Sequence, residues 1–152
     1  FTGAALLIIT SIFMNSFLAV ERLISDENWQ ISAEEIAELE DLSIEIPADA
    51  AVFVIGNQAL EEWAPQILRR DVVNTIFGLE WQPNEYAQVL EMQTVLEVDE
   101  NWDELLKTSG TDMLYLLIDK EKALHLKTTQ TSLQELTETS HFRLATLSTK
   151  GN

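Results

Sequence analysis

Apolar positions along the chain follow two different rhythms. Phe1 to Val20 (FTGAALLIITSIFMNSFLAV) is a continuous run with fourteen apolar side chains and no charge. A helix of that length is about 30 Å long, the thickness of a bilayer's hydrocarbon core. Residues 1–24 are therefore expected to form one hydrophobic, transmembrane helix, the end of a membrane region that extends upstream of Phe1. Thr2, Thr10, Ser11, Asn15 and Ser16 interrupt the run, but small polar residues can bond back to the helix or to its neighbours. A buried core helix and a secretory signal peptide are the rival readings. The second lacks an initiator Met and a basic n-region.

From residue 25 onward, short apolar runs alternate with capped, periodic segments. Ser32-Ala-Glu-Glu35 is a capping box, predicting a helix that ends near Leu42 or Ser43, ahead of Pro47. Ala50–Ile55 is apolar and rich in β-branched residues, too short for a helix, and reads as a buried strand. Gly56-Asn57 closes it, and Asn57 is placed to cap a helix to about Arg69, with Leu60, Trp63, Ile67 and Leu68 on one face and Pro65 as a kink or break. Val72–Phe77 reads as the next strand, which makes a βαβ unit with a parallel pair and a right-handed crossover.

Further helices are expected around Asn84–Leu96 and from Asn101 to Gly110, and a third strand at Met113–Ile118. Leu124–Leu126 is ambiguous. Ser132-Leu-Gln-Glu135 repeats the capping-box pattern and predicts a helix to about Thr139, before a last, more exposed strand at Phe142–Leu147. The sum is an α/β domain over 25–152, with a mainly parallel four-stranded sheet flanked by helices.

Charge narrows the function classes. Nine basic residues against 26 acidic ones leave a net charge of −17. That field repels nucleic-acid phosphates and anionic headgroups, so contact with a membrane falls to residues 1–20. Between Glu21 and Ala50 there are ten acidic residues and one basic one, Arg22. Lys and Arg scarcity beside the span puts the soluble part outside the cytoplasm. The chain has no cysteine, hence no disulfide, no thiolate nucleophile and no cysteine-ligated zinc.

Candidate chemistry is sparse. Gly56 lacks the companion glycines of a phosphate loop and reads as a plain turn. His125 and His141 have no carboxylate at a ligand spacing and read as surface or strand-edge residues. Glu34, Glu35, Glu38, Glu40 and Asp41 lack the alternation and the Gly of a calcium loop, and read as a solvated helix face. No catalytic residue, cofactor or metal is assigned. The one constellation of interest is Trp63, Arg69, Arg70, Glu80 and Trp81. Its two adjacent arginines either complement a helix C-terminus and bridge to Glu80, or form with the Trp faces a surface for a sugar or lipid phosphate.

Ile31-Ser-Ala-Glu-Glu-Ile-Ala-Glu-Leu-Glu40, followed by Ile46-Pro-Ala-Asp-Ala-Ala-Val-Phe-Val-Ile55, resembles the segment after the last span in bacterial polytopic membrane glycosyltransferases of the GT-C type. Glu62-Trp63-Ala-Pro65, Arg69-Arg70, Asn74-Thr75 and Gly78-Leu-Glu-Trp81 are similar to a further succession in that family. Thr111–Leu117 and Ser140-His-Phe142 continue the likeness. Ala64 departs from it, where the family has an aromatic residue. The resemblance implies a parent enzyme using a polyprenyl-phosphate-linked sugar donor, whose catalytic acid lies upstream of Phe1. This domain would then cover the active-site mouth or recognise a glycan acceptor. The alternative is a membrane-anchored, non-enzymatic binding or assembly domain.

Overall fold

A computed structural model of the chain describes residues 30–76, 82–96, 101–121 and 133–148. The expected membrane span at 1–24 lies outside them. So do Phe77, the ambiguous Leu124–Leu126 and the start of the third capping-box candidate. Among the described residues no helix is long and apolar enough to cross a membrane. The fold is that of the unit from Ile31 onward.

Helix α1 (Ala33–Glu45) begins as its capping box dictates. The Ser32 hydroxyl accepts the Glu35 N–H at 3.1 Å, and the Glu35 carboxylate accepts the Ser32 N–H at 2.7 Å. Ile46 is extended, with Pro47 behind it. Strand β1 (Ala51–Ile55) leads into α2 (Gln58–Leu68), capped by Asn57, whose side chain accepts the Leu60 N–H at 2.8 Å. The helix runs through Pro65. Gly56 sits where the strand turns into α2, and a Cβ there would meet Leu60 Cδ2 at 2.5 Å and Asp119 Cβ at 3.4 Å. Its role is close approach, which suits a plain turn.

Strand β2 (Asp71–Val72) is much shorter than the run from Val72 to Phe77 suggests, and the reason is local. After Val72, the Val73 N–H still reaches Val52 O at 2.9 Å, but the next rung belongs to a side chain. The buried Asn74 amide accepts the Val54 N–H at 2.9 Å and donates to Val54 O at 2.7 Å. An asparagine side chain thus replaces strand backbone at the edge of β1.

The chain continues through α3 (Pro83–Thr94), with Pro at its first position, and α4 (Trp102–Ser109), capped by Asn101 and closed by the left-handed Gly110. Strands β3 (Met113–Asp119), β4 (Leu133–Glu138) and β5 (Phe142–Ser148) complete a five-stranded mixed sheet of order β2-β1-β3-β5-β4. Pairings β1·β2 and β1·β3 are parallel, β3·β5 and β5·β4 antiparallel. The α/β class and the parallel β1–α2–β2 pair agree with the sequence. The mainly parallel, four-stranded sheet does not.

Strands β4 and β5 account for the difference. Of the segment that mimics a capping box, Leu133 to Glu135 begin strand β4 rather than a helix. Pairing with β5 satisfies one side of its backbone, and that partner is a long-range choice that a local motif cannot express. Strand β5 is likewise not an exposed last strand. It lies between β3 and β4, and both its faces are buried.

Helices cover both faces of the sheet, as its side-chain alternation demands. On one face Val52, Val54, Leu117, Phe142 and Leu144 pack with Leu39 and Leu42 of α1 and Leu60, Ala64 and Leu68 of α2. On the other Phe53, Leu114, Leu116, Ala145 and Leu147 pack with Val89 and Met92 of α3 and Trp102, Leu105 and Leu106 of α4.

Asn74→Ala is expected to strand the Val54 N–H and C=O in the interior and to cost about 2–3 kcal/mol, because buried polar groups lose their partners. Urea denaturation measures it. A loss under about 0.5 kcal/mol would show that the side-chain rung is dispensable.

Candidate functional site

Arg69 and Arg70 are neighbours in sequence with opposite fates. Arg70 turns inward. Its Nε donates to Ile46 O at 3.0 Å, Nη2 to Ile46 O at 2.7 Å and Ser43 O at 2.9 Å, and Nη1 to Leu68 O at 3.2 Å and Arg69 O at 3.0 Å. Ser43 and Ile46 end α1, while Leu68 and Arg69 end α2. One guanidinium therefore caps the carbonyl ends of two helices, where the helix dipoles concentrate negative charge. The reading in which a cation complements a helix C-terminus fits this geometry, with carbonyls as partners among the described residues.

Arg69 turns outward. It is the C-cap of α2, with φ 54 and ψ 44 in the left-handed region, and it is exposed. That conformation favours Gly and costs a side-chain-bearing residue about 1–2 kcal/mol. Among the described residues its guanidinium has no hydrogen bond or ion pair. Trp63, two turns back on α2, is 51% exposed. It lies off the buried face formed by Ala59, Leu60, Ala64 and Leu68, which corrects its expected place beside Leu60. Trp63 and Arg69 are thus an exposed aromatic and an exposed cation carried by one helix. Glu80 and Trp81 lie outside the described residues, as does His125.

A second polar cluster escaped the sequence. Glu38, expected on a solvated face with Glu34, Glu35, Glu40 and Asp41, is instead largely covered, its side chain 15% exposed. Its carboxylate accepts from the Thr139 hydroxyl, from the His141 N–H at 3.0 Å and from His141 Nδ1 at 2.9 Å. Burial pushes the Glu38 carboxyl up. The Thr139 hydroxyl and the His141 backbone and imidazole more than offset that, holding it at about 2. The hydrogen bond to Glu38 raises the His141 pKa. Partial burial works against the rise, and the charges of Glu38, Glu35 and Glu34 add to it. Partners 103 residues apart leave no local signal.

Among the described residues no group of three His, Cys, Asp or Glu side chains could hold a metal ion. Among the described residues Thr75 Oγ1, next to the Asn74 rung, is buried without a hydrogen-bond partner. No family model, curated protein or solved structure matches the chain.

Arg70→Ala is expected to lower stability by about 3 kcal/mol by uncapping both helices, and Arg70→Lys to recover little of it, since an ammonium cannot reproduce the fork. Chemical denaturation of the two variants checks this. Full recovery by Lys would reduce the role of Arg70 to its charge.

Proposed function

We propose that this chain is the extracytoplasmic C-terminal part of a membrane glycosyltransferase that uses a polyprenyl-phosphate-linked sugar donor. The domain from residue 25 acts as its accessory, acceptor-recognition module. The observation that carries the reading is the succession Glu62-Trp63-Ala-Pro65, Arg69-Arg70, Asn74-Thr75 and Gly78-Leu-Glu-Trp81. The apolar Phe1–Val20 segment and the scarcity of Lys and Arg after it add the membrane and the outward side.

The geometry supports a division of labour within that succession. Arg70 and Asn74 hold the fold together, whereas Trp63 and Arg69 project from it. A tryptophan face suits the apolar face of a sugar ring, and a guanidinium suits a phosphate or carboxylate. An arginine kept in a left-handed conformation where Gly would be more stable is the kind of local cost that a functional residue carries. In this reading the domain orients substrate and the bond-making groups lie in the membrane region.

The test is transfer of labelled sugar by the intact protein reconstituted with polyprenyl-phosphate donors. Arg69→Gly is expected to leave the domain as stable as before, or about 0.5 kcal/mol more so, since relief of the left-handed strain outweighs the added unfolded-state entropy. Trp63→Ala should be close to neutral for stability. Each should lower transfer about tenfold or more. Unchanged transfer in both variants would remove them from recognition. No transfer from any such donor by the unaltered protein would leave the anchored, non-enzymatic binding domain as the standing reading.

A further inference from the structure

We infer that Glu38, Thr139 and His141 form a proton-dependent latch that fastens α1 to the turn between β4 and β5. Three hydrogen bonds converge on the Glu38 carboxylate from that turn, and they bridge elements more than a hundred residues apart. The turn itself is closed by the Thr139 N–H to Phe142 O at 2.8 Å and the Phe142 N–H to Thr139 Oγ1 at 3.0 Å, so its position relative to α1 is well defined. Two of the three bonds, from the hydroxyl and the backbone N–H, persist at any pH at which Glu38 is ionised. The third depends on a group that is itself 37% exposed and exchanges protons with solvent.

Among the described residues, the charges around His141 come from α1 and from the strands beside the turn. Helix α1 presents Glu34, Glu35 and Glu38, which favour the imidazolium. Beside the turn, Lys120 pairs with Glu138 at 2.6 Å and donates to Thr139 O at 2.9 Å, and its own N–H donates to His141 O at 2.9 Å. Arg143 follows on β5, 3.7 Å from Glu135. Lys120 and Arg143 thus each face a carboxylate, while the acidic side of α1 is balanced at this contact by His141.

The contact with Glu38 favours the imidazolium form of His141. Folding raises the affinity of His141 for its proton, so the stabilisation is fully present below the imidazole's unfolded value and is lost as pH rises through the raised folded value. Glu38, held low, stays ionised across that window. Above it a neutral imidazole can keep one N–H bond but loses the ionic attraction. Helix α1 is the first described element after residues 1–29, so the latch grades how firmly that helix is held to the sheet. It stands independently of the glycosyltransferase reading.

The experiment is an NMR pH titration of the full chain in detergent micelles, with amide exchange followed alongside. His141 is expected to titrate above its ordinary 6.5. After correction for intrinsic rates, protection around Glu38 and in the β4–β5 turn should fall several-fold between about pH 6 and pH 9. His141→Gln keeps a donor but cannot titrate, and it should flatten that dependence. Glu38→Gln should return His141 toward its ordinary value. Identical pH profiles in wild type and His141→Gln would overturn the latch. So would a His141 titration unmoved by Glu38→Gln, a comparison that still decides if the first variant does not fold.

Discussion

The guanidinium of Arg70 is the contact on which the layer formed by α1 and α2 depends. A helix end buries carbonyls that nothing within the helix can satisfy, and two such ends meet beside β2. In a chain with nine basic residues and 26 acidic ones, a cation placed there meets both needs in one position. It joins Ser43 and Ile46 to Leu68 and Arg69 and so ties the ends of both helices together. The apolar contacts of Leu39, Leu42, Ala64 and Leu68 then fall against Val52 and Val54.

The sheet faces a complementary constraint at its edges, because an unpaired strand invites further pairing. At one end β2 is two residues long, and the Asn74 amide takes the next rung on β1. At the other, β4 carries Glu135 and Glu138, and its register slips between Glu135 and Thr137. Arg143 and Lys120 stand near those carboxylates. Short length, charge and an irregular register together make both edges poor templates for a second chain.

What the sequence revealed divides along the same physical line. Helices α1, α2 and α4 were legible because Ser32, Asn57 and Asn101 are local caps that act within three residues. Strands β1 and β3 were legible because a short apolar run has few other uses. Strand β4 was not, since Ser132-Leu-Gln-Glu135 satisfies a local helix-start pattern while its backbone partner is β5. The burial of β5 is hidden for the same reason: Arg143 and Thr146 put a polar residue on each of its two faces, and only the tertiary packing covers both. At the candidate site, the sequence grouped two arginines by adjacency. A change of backbone hand at Arg69 sends one outward and leaves the other facing in, and no side-chain pattern encodes that. The pairing of Glu38 with His141 depends wholly on tertiary placement.

The contrast between the two arginines is reported directly by their side-chain mobility. Resolved NMR of the guanidinium groups near neutral pH should show Arg70 Nε–H slow to exchange with water and its Nε–Cζ rotation hindered, as five carbonyl bonds require. Arg69 should exchange fast and rotate freely. The reverse pattern, or two equally mobile groups, would contradict the clamp and with it the assignment of Arg69 as the outward-facing cation.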